Sequence, residues 1–269
     1  MCENLPLANF TTMRVGGYSK IYLLTSPAQL KCLDDANLIL GLGSNVLIAD
    51  SGVEKTVVNR LWGVSETQNG FVVYSGEKLG SLCSRAKVRA LGGLEWACSI
   101  PATIGGAIAT NAGAFGGEMA NVVEWVEVYR DGKIDRLSAK DCSFCYRNSK
   151  IRGFIVRAKI NLYPQNYDEI CRSEEKFRHY RQKTQPQGHS AGSIFKRADL
   201  PAGYYIERAG LKGKRVGGAI VSDKHANFII NDGTATAGQV YELIKIIEQT
   251  VEKEFGVKLE REIRLYGEF

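Results

Sequence analysis

The sequence predicts an α+β fold, and three observations predict it. Short runs rich in Val, Ile and Leu recur with the length and composition of strands. Helical patterns are present but do not alternate with the strands regularly enough for a doubly wound sheet or a TIM barrel. The 269 residues show no fixed-period repeat, and that length suits two or three domains.

The first third reads as strands separated by turns: "KIYLL", "NLILGLG", "VLIA", "KTVVNR" and "FVVYSG". A helical segment then runs from Lys78 to Arg89, with Leu79, Leu82, Cys83 and Ala86 on one side. It is followed by "IPATIGGAIATNAGAFGGE", a Gly- and Ala-rich run that reads as a loop. "VVEWVEVYR" and "KIDRLS" flank Asp131-Gly132, a hairpin signal because both turn positions tolerate positive φ. "FIVRAKINLY" is a further strand, and the charged "NYDEICRSEEKFRHYRQ" is a surface or linker helix. Small residues, short strands and one short helix come next. The clearest helix is the last. Thr236 and Gln239 form a capping-box pair, Val240, Leu243, Ile244, Ile247, Val251 and Phe255 make a core stripe, and Gly256 supplies the stop. The terminal "KLEREIRLYG" alternates like a strand and holds Glu262.

Composition narrows the function. At 44% apolar and 24% charged, the chain has the mixture of a soluble globular protein. It has no apolar run of the roughly 18 residues a membrane-spanning helix needs. "MCENLPLANF" carries no basic leader before an apolar stretch, so a cytoplasmic protein is expected. Seven irregularly spaced cysteines do not read as a disulfide framework. Cys142 and Cys145 form a C-x2-C, but no second pair or nearby His completes a zinc site, so no metal is expected. The net charge of +6 serves solubility or attracts anionic small molecules such as nucleotides. No basic stripe interleaved with aromatics is present, and nucleic acid is not an expected partner.

Two glycine-rich loops and three polar positions are the candidates for chemistry. "GLGSNVLIADSG" supplies Gly41, Gly43, Ser44 and Asn45 directly after a strand, where bare backbone and short polar side chains suit either a turn or a phosphate. It lacks the third glycine of a Rossmann fingerprint and the Gly-Lys-Ser/Thr ending of a P-loop. The second loop clusters small residues around Asn111, removing bulk where a backbone or a ligand must come close. Arg147, in "CYRNS", suits a surface ion pair or a substrate carboxylate. Glu262 suits a solvated charge or a site acid, and Ser193, in "SAGSIFKR", a turn or a ligand-facing hydroxyl.

Taken in order, "NFTTMRVGG", "LGLGSNVLIADSG", "SIPATIGGAIATNAGAFGGE", "CYRNS", "SAGSIFKR", "GLKGKRVGGAIVSDKHANFIIN" and "LEREIRLYG" closely resemble the UDP-N-acetylenolpyruvoylglucosamine reductase (MurB) family of peptidoglycan synthesis, from about Asn9 to Gly267. The resemblance implies an FAD-binding fold of the vanillyl-alcohol-oxidase/PCMH type. Residues 1–54 with 260–269 would form one FAD-binding subdomain and 55–165 the second. A linker helix would span 166–184, and 185–259 would form a substrate-binding domain. It implies noncovalent FAD held by Gly41, Gly43, Ser44, Asn45, Pro101, Thr103, Gly105, Gly106, Asn111 and Gly113. NADPH would be the reductant and UDP-N-acetylglucosamine enolpyruvate the substrate, reduced to UDP-N-acetylmuramate by a monomer.

Arg147, Ser193 and Glu262 match the family's catalytic trio. The implied roles are a guanidinium for the substrate carboxylate, a hydroxyl that protonates the carbanion, and a carboxyl that donates to the developing enolate once burial keeps it protonated. Tyr146, Lys196 and His225 are implied substrate contacts. The chain departs from the family in reading Phe195-Lys196-Arg197-Ala198 where many members have F-K-N-P. It is also shorter between Leu24 and Gly41, and its "SDKHANF" wording resembles the type II subgroup. A flavin oxidase and a non-catalytic nucleotide-binding protein are the competing readings. The first lacks an oxidase-type substrate domain, and the intact trio argues against both.

Overall fold

The structure, a computed structural model, describes residues 3–269, so Cys2 lies outside the described residues. Among them five α-helices occur: α1 (Leu79–Val88), α2 (Ile104–Ala109), α3 (Tyr167–Thr184), α4 (Ala202–Arg208) and α5 (Ala237–Phe255). Two compact units divide the chain. One takes the residues up to Ile21, Gly43–Thr56 and Gln182–Phe269; the other takes Tyr22–Leu42 and Val57–Arg181. The segments expected as the first and third domains thus fall largely in one unit, and most of α3 belongs to the other.

The second unit is built on a five-stranded antiparallel sheet in the order Lys133–Ser138, Val123–Arg130, Phe154–Asn161, Gly70–Tyr74, Val64–Thr67. The Asp131-Gly132 hairpin forms as expected. Arg130 faces Lys133, and the turn residues take φ of 51° and 74°, a twist that matches the flanking strands. Val73, Val126, Ala158 and Ile160 pack from the sheet onto Leu79, Leu82 and Ala86 of α1 and onto Ile104, Ala107 and Ile108 of α2. The sheet alternation and the helical spacing therefore meet in one core.

Helix α2 corrects the loop expected there. Two adjacent glycines each cost about 1 kcal/mol in a helix, which hides it from a propensity reading. Tertiary contacts reverse that balance. Ile104, Ala107 and Ile108 are fully buried, and Gly105 N–H donates to Ser75 C=O at 2.8 Å. The charged helix α3 buries Ile170 and also Glu174, only 4% exposed, which accepts from Lys87 Nζ at 2.7 Å.

In the first unit, the α5 stripe Val240, Leu243, Ile244, Ile247 and Val251 is buried with Ala219, Val221 and Ile229 of a three-stranded antiparallel sheet, Arg215–Val216, Ala219–Val221 and Ile229–Asn231. The capping box and the left-handed Gly256 form as expected. Asp50 adds a second cap, its carboxylate accepting from Ala237 N–H at 2.9 Å and Gly238 N–H at 2.8 Å. Phe255 departs from the stripe. It is 40% exposed and tilts against Tyr205 at 5.5 Å. The terminal strand is also shorter than expected. Only Arg264–Tyr266 pairs, in parallel with Val46–Ile48, so Glu262 lies just before the strand and not inside it. Among the described residues, no helix is long and apolar enough to cross a membrane.

Candidate active site

In the first unit the Ser193 segment runs between two others. Ser193 bridges Phe228 on one side, while Ile194 N–H donates to Asn227 C=O at 2.9 Å. On the other side the Ile194 carbonyl accepts from Glu262 N–H at 2.8 Å and from Ile263 N–H at 3.3 Å, and Lys196 N–H donates to Glu260 C=O at 2.8 Å. Ser193 and Glu262, far apart in sequence, therefore sit on hydrogen-bonded neighbouring segments. Both are half-buried, between the core and solvent.

The chain turns into this segment at Gly192, whose φ of 75° is left-handed and strained for any residue with a Cβ. Thr12 ties the entry together, donating from Oγ1 to Ser190 C=O at 2.7 Å and from its N–H to Gly43 C=O at 3.1 Å. Asn45 holds Glu262 from below: its Nδ2 donates to Glu262 C=O at 3.2 Å, and its own carbonyl accepts from Arg264 N–H at 3.1 Å. Arg261 locks the same segment to α5 through a two-pronged pair with Glu248, which raises its already high pKa.

Lys196 pairs with Glu260, and Arg197, the residue that departs from the family pattern, is exposed and reaches the Asp199 carbonyl at 3.4 Å. His225 is turned inward. Its Nδ1 accepts from Asn227 N–H at 3.3 Å, its ring lies edge-on to Phe228, and burial lowers its pKa, favouring the neutral imidazole.

In the second unit the cofactor candidates cluster around α2. Gly41 lies so close to Thr103 that an added Cβ would collide with Thr103 Oγ1. That hydroxyl caps α2 by accepting from Gly106 N–H at 3.3 Å. Pro101 and Gly106 are exposed and Gly105 and Gly113 half-buried, leaving a low ridge of backbone free of side chains. The N–H groups of Gly105 and Gly106 are already bonded, so what this stretch offers a flat group is close approach to bare backbone. Asn111 is different. Fully buried, it accepts from Ala120 N–H at 3.0 Å and donates to Cys145 C=O at 3.1 Å, so its side chain frames the turn that carries Arg147.

On that turn Arg147 takes a left-handed φ of 57° and its guanidinium lies 5.2 Å from the exposed Tyr146 ring. Cys142 also secures the turn. Its buried thiol donates to Ser138 C=O at 3.2 Å, and burial pushes its pKa up to about 11. Arg181, at the end of α3, is the residue that sequence reasoning missed. Its Nη1 donates to Ser99 C=O at 3.1 Å, while its buried Nε has no hydrogen-bond partner among the described residues. The guanidinium lies 5.9 Å from the ring of Phe115, which stacks on Phe177 at 4.4 Å and itself has a φ of 52°. Burial first, and then the charge of Arg147, lower the Arg181 pKa. A largely desolvated guanidinium makes a local field suited to an anion.

Comparison with known proteins is consistent with this arrangement. A family profile described as the C-terminal domain of UDP-N-acetylenolpyruvoylglucosamine reductase matches residues 183–266, and one described as an FAD binding domain matches 31–138. The chain is 36% identical to the UDP-N-acetylenolpyruvoylglucosamine reductase of Anoxybacillus flavithermus, covering 98% of this chain and 94% of that protein. It is 39% identical to the protein of the same name from Caldanaerobacter subterraneus, covering 98% and 93%. The crystal structure of the Thermus caldophilus reductase superposes with a TM-score of 0.90 at 36% identity, over 99% of each chain.

Proposed function

The chain belongs to the UDP-N-acetylenolpyruvoylglucosamine reductase family, and we propose that Ser193, Glu262, Arg147 and Arg181 act in its reaction. The enzyme is an FAD-containing, NADPH-dependent oxidoreductase that converts UDP-N-acetylglucosamine enolpyruvate to UDP-N-acetylmuramate, a step in peptidoglycan precursor synthesis.

Gly41 and the ridge of Pro101, Thr103, Gly105, Gly106 and Gly113 would hold FAD, and Gly43, Ser44 and Asn45 are further candidates for it. Asn111 would contribute indirectly, by framing the turn that carries Arg147. Bound there, FAD would supply hydride transfer from NADPH to the terminal vinyl carbon of the substrate. Negative charge then develops on the adjacent carbon and in the carboxylate. Arg147 forks onto that carboxylate, and Arg181 adds positive potential. The carboxylic acid of Glu262 donates a hydrogen bond to the same charge, and Ser193 Oγ delivers the proton that completes the lactyl ether. Tyr146, Lys196 and His225 border the sugar-nucleotide. We place the enzyme in the cytoplasm, as a monomer serving wall growth and division.

The observation that carries this reading is the 2.8 Å bond from Glu262 N–H to Ile194 C=O, which sets the acid beside the hydroxyl-bearing segment. The experiment is anaerobic NADPH oxidation with and without the enolpyruvyl sugar-nucleotide. Turnover must require it and yield UDP-N-acetylmuramate. Steady NADPH consumption driven by oxygen alone would replace the reductase with an oxidase.

A further inference from the structure

We infer that Asn227 is a positioning residue for Ser193, acting through the backbone of Ile194 and Phe195; the inference rests on the role of Ser193 proposed above. All three polar groups of Asn227 beyond its own N–H are spent on that backbone. Its Oδ1 accepts from Phe195 N–H at 3.0 Å, its Nδ2 donates to Phe195 C=O at 2.8 Å, and its main-chain carbonyl accepts from Ile194 N–H at 2.9 Å. Asn227 is 7% exposed and Phe195 1%, so water does not compete for these bonds.

The need for a side chain follows from the local path of the backbone. Ahead of Asn227 the chain curls into a tight turn. Ser222 Oγ accepts there from Lys224 N–H at 3.1 Å and His225 N–H at 3.3 Å, and His225 Nδ1 accepts from Asn227 N–H. Among the described residues, therefore, no neighbouring strand continues alongside Phe195 on that side. The carboxamide takes its place, presenting one donor and one acceptor at the spacing of a peptide group.

Only Asn fits. Asp lacks the donor for Phe195 C=O, Gln carries an extra methylene into a closed site, and Ala leaves both backbone groups buried and unpaired. The opposite edge of the segment is held by Glu262, Ile263 and Glu260. Loss of the clamp thus frees one edge while the other still pulls, and the hydroxyl at 193 shifts. Displacement of a reacting group by about 1 Å costs on the order of 100-fold in rate.

The test is a double-mutant cycle on the FAD-loaded enzyme, with each half-reaction followed by anaerobic stopped flow. Asn227→Ala and Asn227→Asp should leave flavin bleaching by NADPH within about twofold and slow reoxidation by substrate by about 10- to 100-fold, Asp being the milder. In a Ser193→Ala background the same substitutions should slow reoxidation no further, because the group they position is gone. An equal slowing in both backgrounds, or a parallel loss of both half-reactions, overturns the inference and leaves Asn227 a purely structural residue. If Asn227→Ala does not fold, the Asp variant decides by the same criterion. If Ser193→Ala alone leaves reoxidation unchanged, it is the Ser193 reading that fails, and this inference falls with it.

Discussion

The amide of Glu262 donates to the carbonyl of Ile194 at 2.8 Å, holding its segment beside the one that carries Ser193. Removing that hydroxyl should separate the two half-reactions. Ser193→Ala is expected to reduce flavin with NADPH at nearly the native rate, and to pass the electrons on at least about 100-fold more slowly, the usual scale for losing a positioned proton donor. Single-turnover traces for each half-reaction check it.

The two guanidiniums of the second unit should fail differently. Arg147→Lys keeps the charge and loses the fork, and a fall in kcat/KM of about 10- to 100-fold is expected. Arg181→Gln removes charge but not the fork at Arg147, so KM should rise by about tenfold with kcat less affected, and the variant should lose the inhibition by added salt that marks a charge-steered anion. Steady-state kinetics over a range of ionic strength separate the two.

Gly41 and Thr103 make a paired prediction. A methyl at 41 would collide with Thr103 Oγ1, the atom that caps α2. Gly41→Ala should therefore lower the melting temperature and reduce flavin retained after desalting; loss of such a cap alone costs about 1 kcal/mol. Adding Thr103→Ala removes the colliding oxygen and should restore part of the flavin content. A double variant worse than either single one would place the defect elsewhere.

His225 predicts an acid limb. Burial holds its folded pKa below the ordinary 6.5, so the unfolded chain binds the extra proton first. The stability this group contributes is complete above about pH 7 and is lost as pH falls through 6.5 towards the folded value. Melting temperatures from pH 7.5 to 5.5 should drop less steeply in His225→Phe than in the native enzyme.

Local rules made several elements readable in advance. The Asp131-Gly132 turn, the capping box at Thr236 and the stripe of α5 rest on neighbours in sequence, and all three form, the stripe without its last member Phe255. The features that escaped depend on distant partners. Helix α2 survives its paired glycines because Ser75 and the sheet core hold it. Asp50 sits in a glycine-rich run that reads as ligand-binding, yet its carboxylate caps α5. Arg181 lay in a helix whose many charges concealed the one that is turned inward. The "SDKHANF" wording drew attention to His225, while Asn227, two residues on, makes the bonds to the Ser193 segment.

The pairing of Arg264–Tyr266 with Val46–Ile48 bears on how the enzyme is made. A parallel pair needs a long crossover, and here the chain between Ile48 and Arg264 provides it. A ribosome must therefore release everything up to Tyr266 before the strand beside residue 46 gains its mate. Until then Glu262 is not yet in place, and a copy terminated before it lacks both that carboxyl and the pairing that holds it.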